Sequence, residues 1–225
     1  MKNWRKKVEK MKITIIYDNE SYKKGLKPDW GFSCLVEVEN SPQIIFDLGA
    51  DGRILLSNME KLRIDPSSID EVFISHSHTD HVGGLKNFLK RNKEVTLYAP
   101  SSFSVPYDVE EIISIKEAQQ IHNNIFSTGE LKGTEQEQSL VIKTGDEVVV
   151  VVGCSHPGVE NILDAASKFG KPCALIGGLH EFDGFNLIED LDLVCPAHCT
   201  KFKSEIKLQY PDKQIDAGVG RVIQL

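Results

Sequence analysis

The strongest constraint on this chain is the hexapeptide His76-Ser77-His78-Thr79-Asp80-His81, which follows the apolar run Val72-Phe73-Ile74 and precedes Val82-Gly83-Gly84. Three imidazoles and a carboxylate at the end of a buried strand need partners, because an unpaired polar group out of water costs roughly 2–7 kcal/mol. In an extended segment His76 and His78 project from one face, since side chains alternate with period two, so both reach one cation. Asp80 and His81 fall past the strand end, where a tight turn aims them at a neighbouring position. Gly83 and Gly84 then let the backbone pass close to that place before a helix begins. The pattern predicts metal binding. Its nitrogen-rich donors favour zinc, with iron or manganese as the other candidates.

One peptide fills neither metal position, so further ligands must come from elsewhere in the chain. His156 in "GCSHPG", His180 in "GGLHEF" and His198 in "PAHC" each follow an apolar run and precede a turn-like segment. Strands that end on one edge of a sandwich would carry all three to the same rim. His122 has no such setting and reads as a structural or surface residue.

Alternation and β-branched content predict strands over 12–18, 31–39, 43–50, 71–78 and 95–100. Helical spacing covers 52–64 and the segment after Gly83. Residues 101–138 read as short strands and polar loops. The clearest hairpin spans 139–156 and turns at Thr144-Gly145-Asp146. A helix from Gly158, a strand over 173–178, a helix around 185–191 and a strand over 193–198 follow. No linker divides this order. It predicts an α/β (α+β) fold in which two packed sheets carry helices on their outer faces, as one domain over 11–225.

The first ten residues hold five Lys/Arg against one Glu, +4 of an overall −7, which leaves −11 on residues 11–225. So acidic a body argues against a nucleic-acid partner, which selects a basic face. No apolar run approaches the roughly 20 residues that span a bilayer, and the basic start lacks the pattern of a signal peptide. Residues 1–10 read as an appended basic extension, and the protein as cytoplasmic, without a membrane partner. The five cysteines are an odd number with no secretory signal, so they do not suggest a disulfide framework. The Cys195-x3-Cys199 spacing lacks the second pair of a zinc knuckle.

"HSHTDHVGGL", with "IIFDLG" upstream and the later histidines, resembles the metallo-β-lactamase superfamily, which implies an αββα four-layer sandwich. "VVGCSHPGVENIL", "IGGLH" and "PAHCT" resemble a narrower branch, the dihydropterin-linked ribofuranosylaminobenzene phosphate synthases of methanopterin biosynthesis and their bacterial relatives. That likeness implies a first metal site of His76, His78 and His156 and a second of Asp80, His81 and His198. Asp47, ending "IIFDLG", matches an aspartate that braces the ligands, and Cys154 stands close to them in sequence. Most two-metal members carry an aspartate bridging the ions, and none is evident here. His180 falls near that place in this branch. Two divalent ions against one carboxylate leave +3, which predicts one firm zinc, a second that binds conditionally, and attraction for an anionic small molecule. Lys201 stands where the branch has glycine and offers a cation to such a substrate. Trp30 offers a surface for a planar ligand.

The activity implied is hydrolysis by a metal-activated hydroxide, with a phosphate ester as the expected substrate and Asp80 and His180 as catalytic groups. A methanopterin-type synthase and a metal-binding or redox sensor without turnover are the alternatives. Paired-iron oxidoreductases of the superfamily carry H-x-E-x-D, where this chain has Ser77-His78. The oligomeric state is not encoded in any of these motifs.

Overall fold

The computed structural model describes residues 10–225; the basic extension assigned to 1–10 therefore lies, apart from Lys10, outside the described residues. The first half gives β1 (Met11–Tyr17), β2 (Ser33–Val38), β3 (Ile44–Phe46), helix α1 (Gly52–Leu62) and β4 (Glu71–Phe73). It continues with the one-turn helix α2 (Thr79–Val82), α3 (Leu85–Leu89), β5 (Thr96–Pro100) and β6 (Glu111–Ile115). The second half gives β7 (Gln119–His122), β8 (Ile125–Ser127), β9 (Leu140–Thr144), β10 (Glu147–Val152), α4 (Val159–Ser167) and β11 (Lys171–Gly178). It closes with β12 (Leu193–Ala197), α5 (Lys203–Gln209) and β13 (Val222–Gln224).

These strands form two sheets, ordered β13-β1-β2-β3-β4-β5-β6 and β12-β11-β10-β9-β8-β7. The valine run of β10 explains why both faces of its sheet must be covered. Period two sends Val149 and Val151 to one side and Val148, Val150 and Val152 to the other, and all five are buried. Val149 and Val151 meet Ile13, Ile15, Phe46 and Phe73 of the first sheet in the core between the sheets. Val148, Val150 and Val152 pack under α4, against Ile162 and Ala166. On the far side, α1 and α3 lay Leu55, Met59, Leu85 and Phe88 over Ile16, Ile45 and Val72. The order is helix, sheet, sheet, helix: the αββα sandwich.

Strand direction then positions the site. β1 pairs antiparallel with β2, and β2 antiparallel with β3, so β1 and β3 run the same way; β3, β4 and β5 are mutually parallel. β10, β11 and β12 are also parallel. The segments leaving these strands carry Asp18 and Asn19, Asp47, residues 74–81, residues 153–156, His180 and His198. Four of them, Asp47, Ser155, His180 and His198, have a left-handed backbone (φ 42° to 63°) without being glycine. Each such residue costs about 1–2 kcal/mol, and strain of this kind collects where geometry serves a function.

Four expectations are corrected. The strand predicted over 71–78 ends at Phe73: Ile74 N–H still donates to Tyr98 O as the last rung of the β4–β5 ladder, and the carbonyls of Ile74 and Ser75 then accept from Gln138 instead. Asp80 and His81 sit in the helical turn α2 rather than a tight turn, and the segment around 185–191 is a 3-10 helix. Gly83 and Gly84 do make a close approach, but to the carbonyls of Ala50 and Leu48, where a Cβ would collide. They seat the α2–α3 junction on the loop after β3.

Candidate metal centre

Four imidazoles at the rim, those of His76, His81, His156 and His198, have Nδ1 tied back into the protein, and the ties define the free nitrogen. The fully buried Asp47 carboxylate lies 2.7 Å from His81 Nδ1 and accepts from Ser75 N–H (2.8 Å) and Ser75 Oγ–H (2.6 Å). With the Ser75 proton committed to Asp47, Ser75 Oγ accepts from His76 Nδ1–H at 2.9 Å. Asn19 Nδ2–H donates to His198 O, which orients the amide so that its Oδ1 accepts from His198 Nδ1–H at 2.9 Å. Thr134 Oγ1 lies 3.2 Å from His156 Nδ1. In every case Nε2 is the nitrogen left to face the rim, the tautomer a metal-binding histidine needs.

Among the described residues, Nε2 of His76 and of His156 is buried without a hydrogen-bond partner. Orphans of this kind are rare in folded proteins, and within a cluster of donors they fit a cation. The donors fall into groups whose ligand atoms lie within 4.8 Å of one another: His76, His78 and His156; Asp80, His81 and His198; His76, His81 and Cys154; and Cys154, His198 and Cys199. Asp80 Oδ2 is 3.2 Å from His198 Nε2 and 3.8 Å from His81 Nε2. His78, partly exposed, has Glu135 Oε1 at 3.8 Å. The two triads expected from the resemblance are thus spatial neighbours, and their residues fit divalent cations.

Electrostatics point the same way. Burial, reinforced by neighbouring imidazoles, holds His76 and His81 well below the usual histidine range, and lowers His156 to about 4. All three are neutral, as ligation requires. Burial raises Asp80, but the His198 hydrogen bond and the charges of His81 and His198 outweigh it and hold the carboxylate well below its usual range. Burial pushes Asp47 up, against the two Ser75 hydrogen bonds.

Several supporting residues carried no signal in the sequence. Glu137, fully buried, accepts the backbone N–H groups of Gly153, Cys154 and Ser155 on Oε1 and of His156 on Oε2, at 2.9–3.1 Å. That one side chain fixes the loop presenting His156. Burial raises its carboxyl to about 7. Asp18 Oδ2 accepts from His198 N–H at 3.1 Å. Gly153 has no room for a Cβ against Ser75 and His76, so the loop can close over them.

The remaining expected residues are scattered around this cluster. His180 is exposed, its ring 5.1 Å from that of His156, outside all four donor groups. Trp30 is 58% exposed and stands edge-on to His198 at 4.9 Å, so it is not core packing. Lys201 Nζ is at the surface, paired with Glu181 at 2.9 Å. Cys154, expected behind the ligands, brings its sulfur to 3.1 Å from His81 Nε2. His122 pairs with Glu71 at 2.6 Å, as a structural residue would. No helix among the described residues is long and apolar enough to cross a membrane.

Comparison with known proteins agrees with this geometry. The model of the metallo-beta-lactamase superfamily matches residues 32–182. A 7,8-dihydropterin-6-methyl-4-(beta-D-ribofuranosyl)-aminobenzene-5'-phosphate synthase from Methanocaldococcus jannaschii is 29% identical, over 88% of this chain and 90% of that protein. A solved metal-dependent hydrolase of the beta-lactamase superfamily is 26% identical with a TM-score of 0.77, covering 96% of this chain and 99% of that one. A metallo-beta-lactamase fold protein from Bacillus subtilis, 13% identical over 96% of this chain and 100% of its own, shares the fold with a TM-score of 0.71. The chain belongs to the metallo-beta-lactamase superfamily.

Proposed function

We propose that this protein is a metal-dependent hydrolase of an anionic small molecule, with a phosphate ester as substrate, and that zinc is its metal. The observation that carries the reading is the set of buried imidazoles whose Nδ1 atoms are anchored and whose Nε2 atoms converge, two of them without partners. His76, His78 and His156 would hold one firm ion; Asp80, His81 and His198 would hold a second, conditional one. Bound there, the ions supply Lewis acidity and lower the pKa of a coordinated water towards 7.

The chain's own groups do the rest. Asp80, ionised and only half-buried, accepts a hydrogen bond from the attacking water and orients it. His180, exposed beside His156 on a cleft of about 450 Å³, delivers a proton to the leaving-group oxygen. The neutral imidazoles leave the ions' positive charge uncompensated, which favours an anionic substrate. Asp47 and Asn19 keep His81 and His198 in register throughout.

A second reading, a synthase acting on a ring-bearing phosphate, draws support from the 29% identical relative and from exposed Trp30 at the rim, whose indole can stack on a planar ring.

The test combines elemental analysis of the purified protein with assays on phosphomonoesters, phosphodiesters, thioesters and lactones, before and after chelation and with zinc, manganese or iron restored. Hydrolysis of a phosphate ester that vanishes on chelation and returns with zinc is expected. Full activity in metal-stripped protein would end the proposal, and silence across the panel would favour the non-hydrolytic readings.

A further inference from the structure

Cys154 lies on the loop after β10, two residues before His156, and is buried to 3% exposure. Its sulfur is grouped with His76 and His81 on one side, and with His198 and Cys199 on the other. It therefore reaches a member of the first triad and both imidazoles of the second. His180, the other residue near the place of a bridging ligand, is exposed, its ring 5.1 Å from that of His156, and belongs to none of the four donor groups.

The sulfur also has the right neighbours. His81 gives its Nδ1–H to Asp47, so Nε2 at 3.1 Å from Cys154 Sγ carries a lone pair and accepts the thiol proton. A tetrahedral ion with bonds of about 2.1 Å to nitrogen and 2.3 Å to sulfur separates those atoms by roughly 3.5 Å. A shift of a few tenths of an ångström would thus admit a cation in place of the S–H···N bond. His76 Nε2, on a fully buried ring, points into the same space without a partner. The loop itself is fixed, since Glu137 holds the N–H groups of residues 153 to 156.

Charge gives the reason for sulfur. Asp80 is the one carboxylate in the four donor groups, so two divalent ions would leave +3. A second anionic ligand within reach of both triads lowers that to +2.

We propose that Cys154 is a metal ligand whose thiolate is shared between the two cation positions, the role a bridging carboxylate would otherwise fill. Its thiol proton leaves to solvent as the sulfur–metal bonds form. The proposal rests on the metal-centre reading above and adds to it a sulfur donor.

Loading chelator-stripped protein with cobalt(II) separates the two claims. Visible ligand-field bands report cobalt held by imidazoles; a near-ultraviolet sulfur-to-cobalt charge-transfer band reports a thiolate ligand. Wild-type protein is expected to show both and to bind two equivalents. Cys154→Ser is expected to keep the visible bands, lose the charge-transfer band and bind one equivalent, while Cys199→Ser keeps all three signals. Visible bands without charge transfer in the wild type, or charge transfer that survives in Cys154→Ser, would overturn the sulfur ligand and leave the metal centre standing. Absence of both signals in the wild type would overturn the centre, and the ligand with it. X-ray absorption on zinc-loaded wild type needs no variant: a sulfur shell at about 2.3 Å is expected, and a purely nitrogen and oxygen shell refutes the proposal.

Discussion

Asp47 Oδ2 and His81 Nδ1 lie 2.7 Å apart, both side chains fully buried, with Ser75 supplying two further hydrogen bonds to the same carboxylate. This contact fixes which nitrogen of His81 faces the rim. Asp47→Asn keeps the size but removes the charge that strengthens His81 as a donor. A loss of about 10- to 100-fold in metal affinity is expected, measured by competition with a chromogenic chelator. Unchanged affinity would mean that the carboxylate plays no part in holding the ion.

Glu137 makes the same kind of point about the backbone. Glu137→Gln replaces an acceptor oxygen with an NH2 group that must face a backbone N–H. A destabilisation of about 1–3 kcal/mol is expected from the urea midpoint, together with weaker metal binding, because the loop bearing His156 loses its anchor. A stability change without any effect on metal affinity would separate the loop from the site.

The buried histidines of the metal-free protein are expected to cost stability as the pH falls. In unfolded chain, histidines take up protons near pH 6.5. In the fold, burial keeps His76 and His81 neutral far below that, and His156 down to about 4. Between pH 6.5 and 4 these histidines therefore bind more protons in the unfolded state, and their share of stability drops as pH falls, by up to about 1.4 kcal/mol per pH unit for each of His76 and His81. Burial of the Glu137 and Asp47 carboxyls works the other way as pH falls, so the histidine share is read from imidazole NMR signals of chelated protein, expected to stay those of neutral rings from pH 7 to pH 5; titration near 6.5 would contradict buried neutral imidazoles.

Trp30 and Lys201 are expected to part company. Trp30→Ala, at an exposed rim position, changes stability by less than about 0.5 kcal/mol. It raises KM for ring-bearing phosphates roughly tenfold, the scale of a lost aromatic stacking contact. Lys201→Ala removes an exposed ion pair with Glu181, worth at most about 1 kcal/mol, and leaves kcat/KM unchanged. Steady-state kinetics on both variants would reverse these assignments if the lysine, not the tryptophan, moved KM.

The sequence was most legible where one physical rule acted alone. Continuous burial wrote the valine run of β10 as a two-faced strand, and the density of donors in His76-Ser77-His78-Thr79-Asp80-His81 had few bland explanations. Strand ends are less legible: Ile74 looks like more of β4, and only Gln138, far along the chain, draws its carbonyl out of the ladder. Glu137 and Asn19 were invisible for a related reason. Each is an ordinary polar residue until the fold carries it to a loop remote in sequence. Cys154 stands out in the sequence for its nearness to His156, yet its reach to His81 and His198 depends on how the two sheets face each other.

The two triads take their members from opposite sheets. His76, His78, Asp80 and His81 leave β4 of one sheet, whereas His156 and His198 leave β10 and β12 of the other. An ion in either triad would therefore be a cross-link, tying chain segments far apart in sequence in the way a disulfide ties a long loop. The same atoms that prepare the chemistry would then rivet the halves of the sandwich, so that loss of metal loosens the whole molecule along the seam between its sheets.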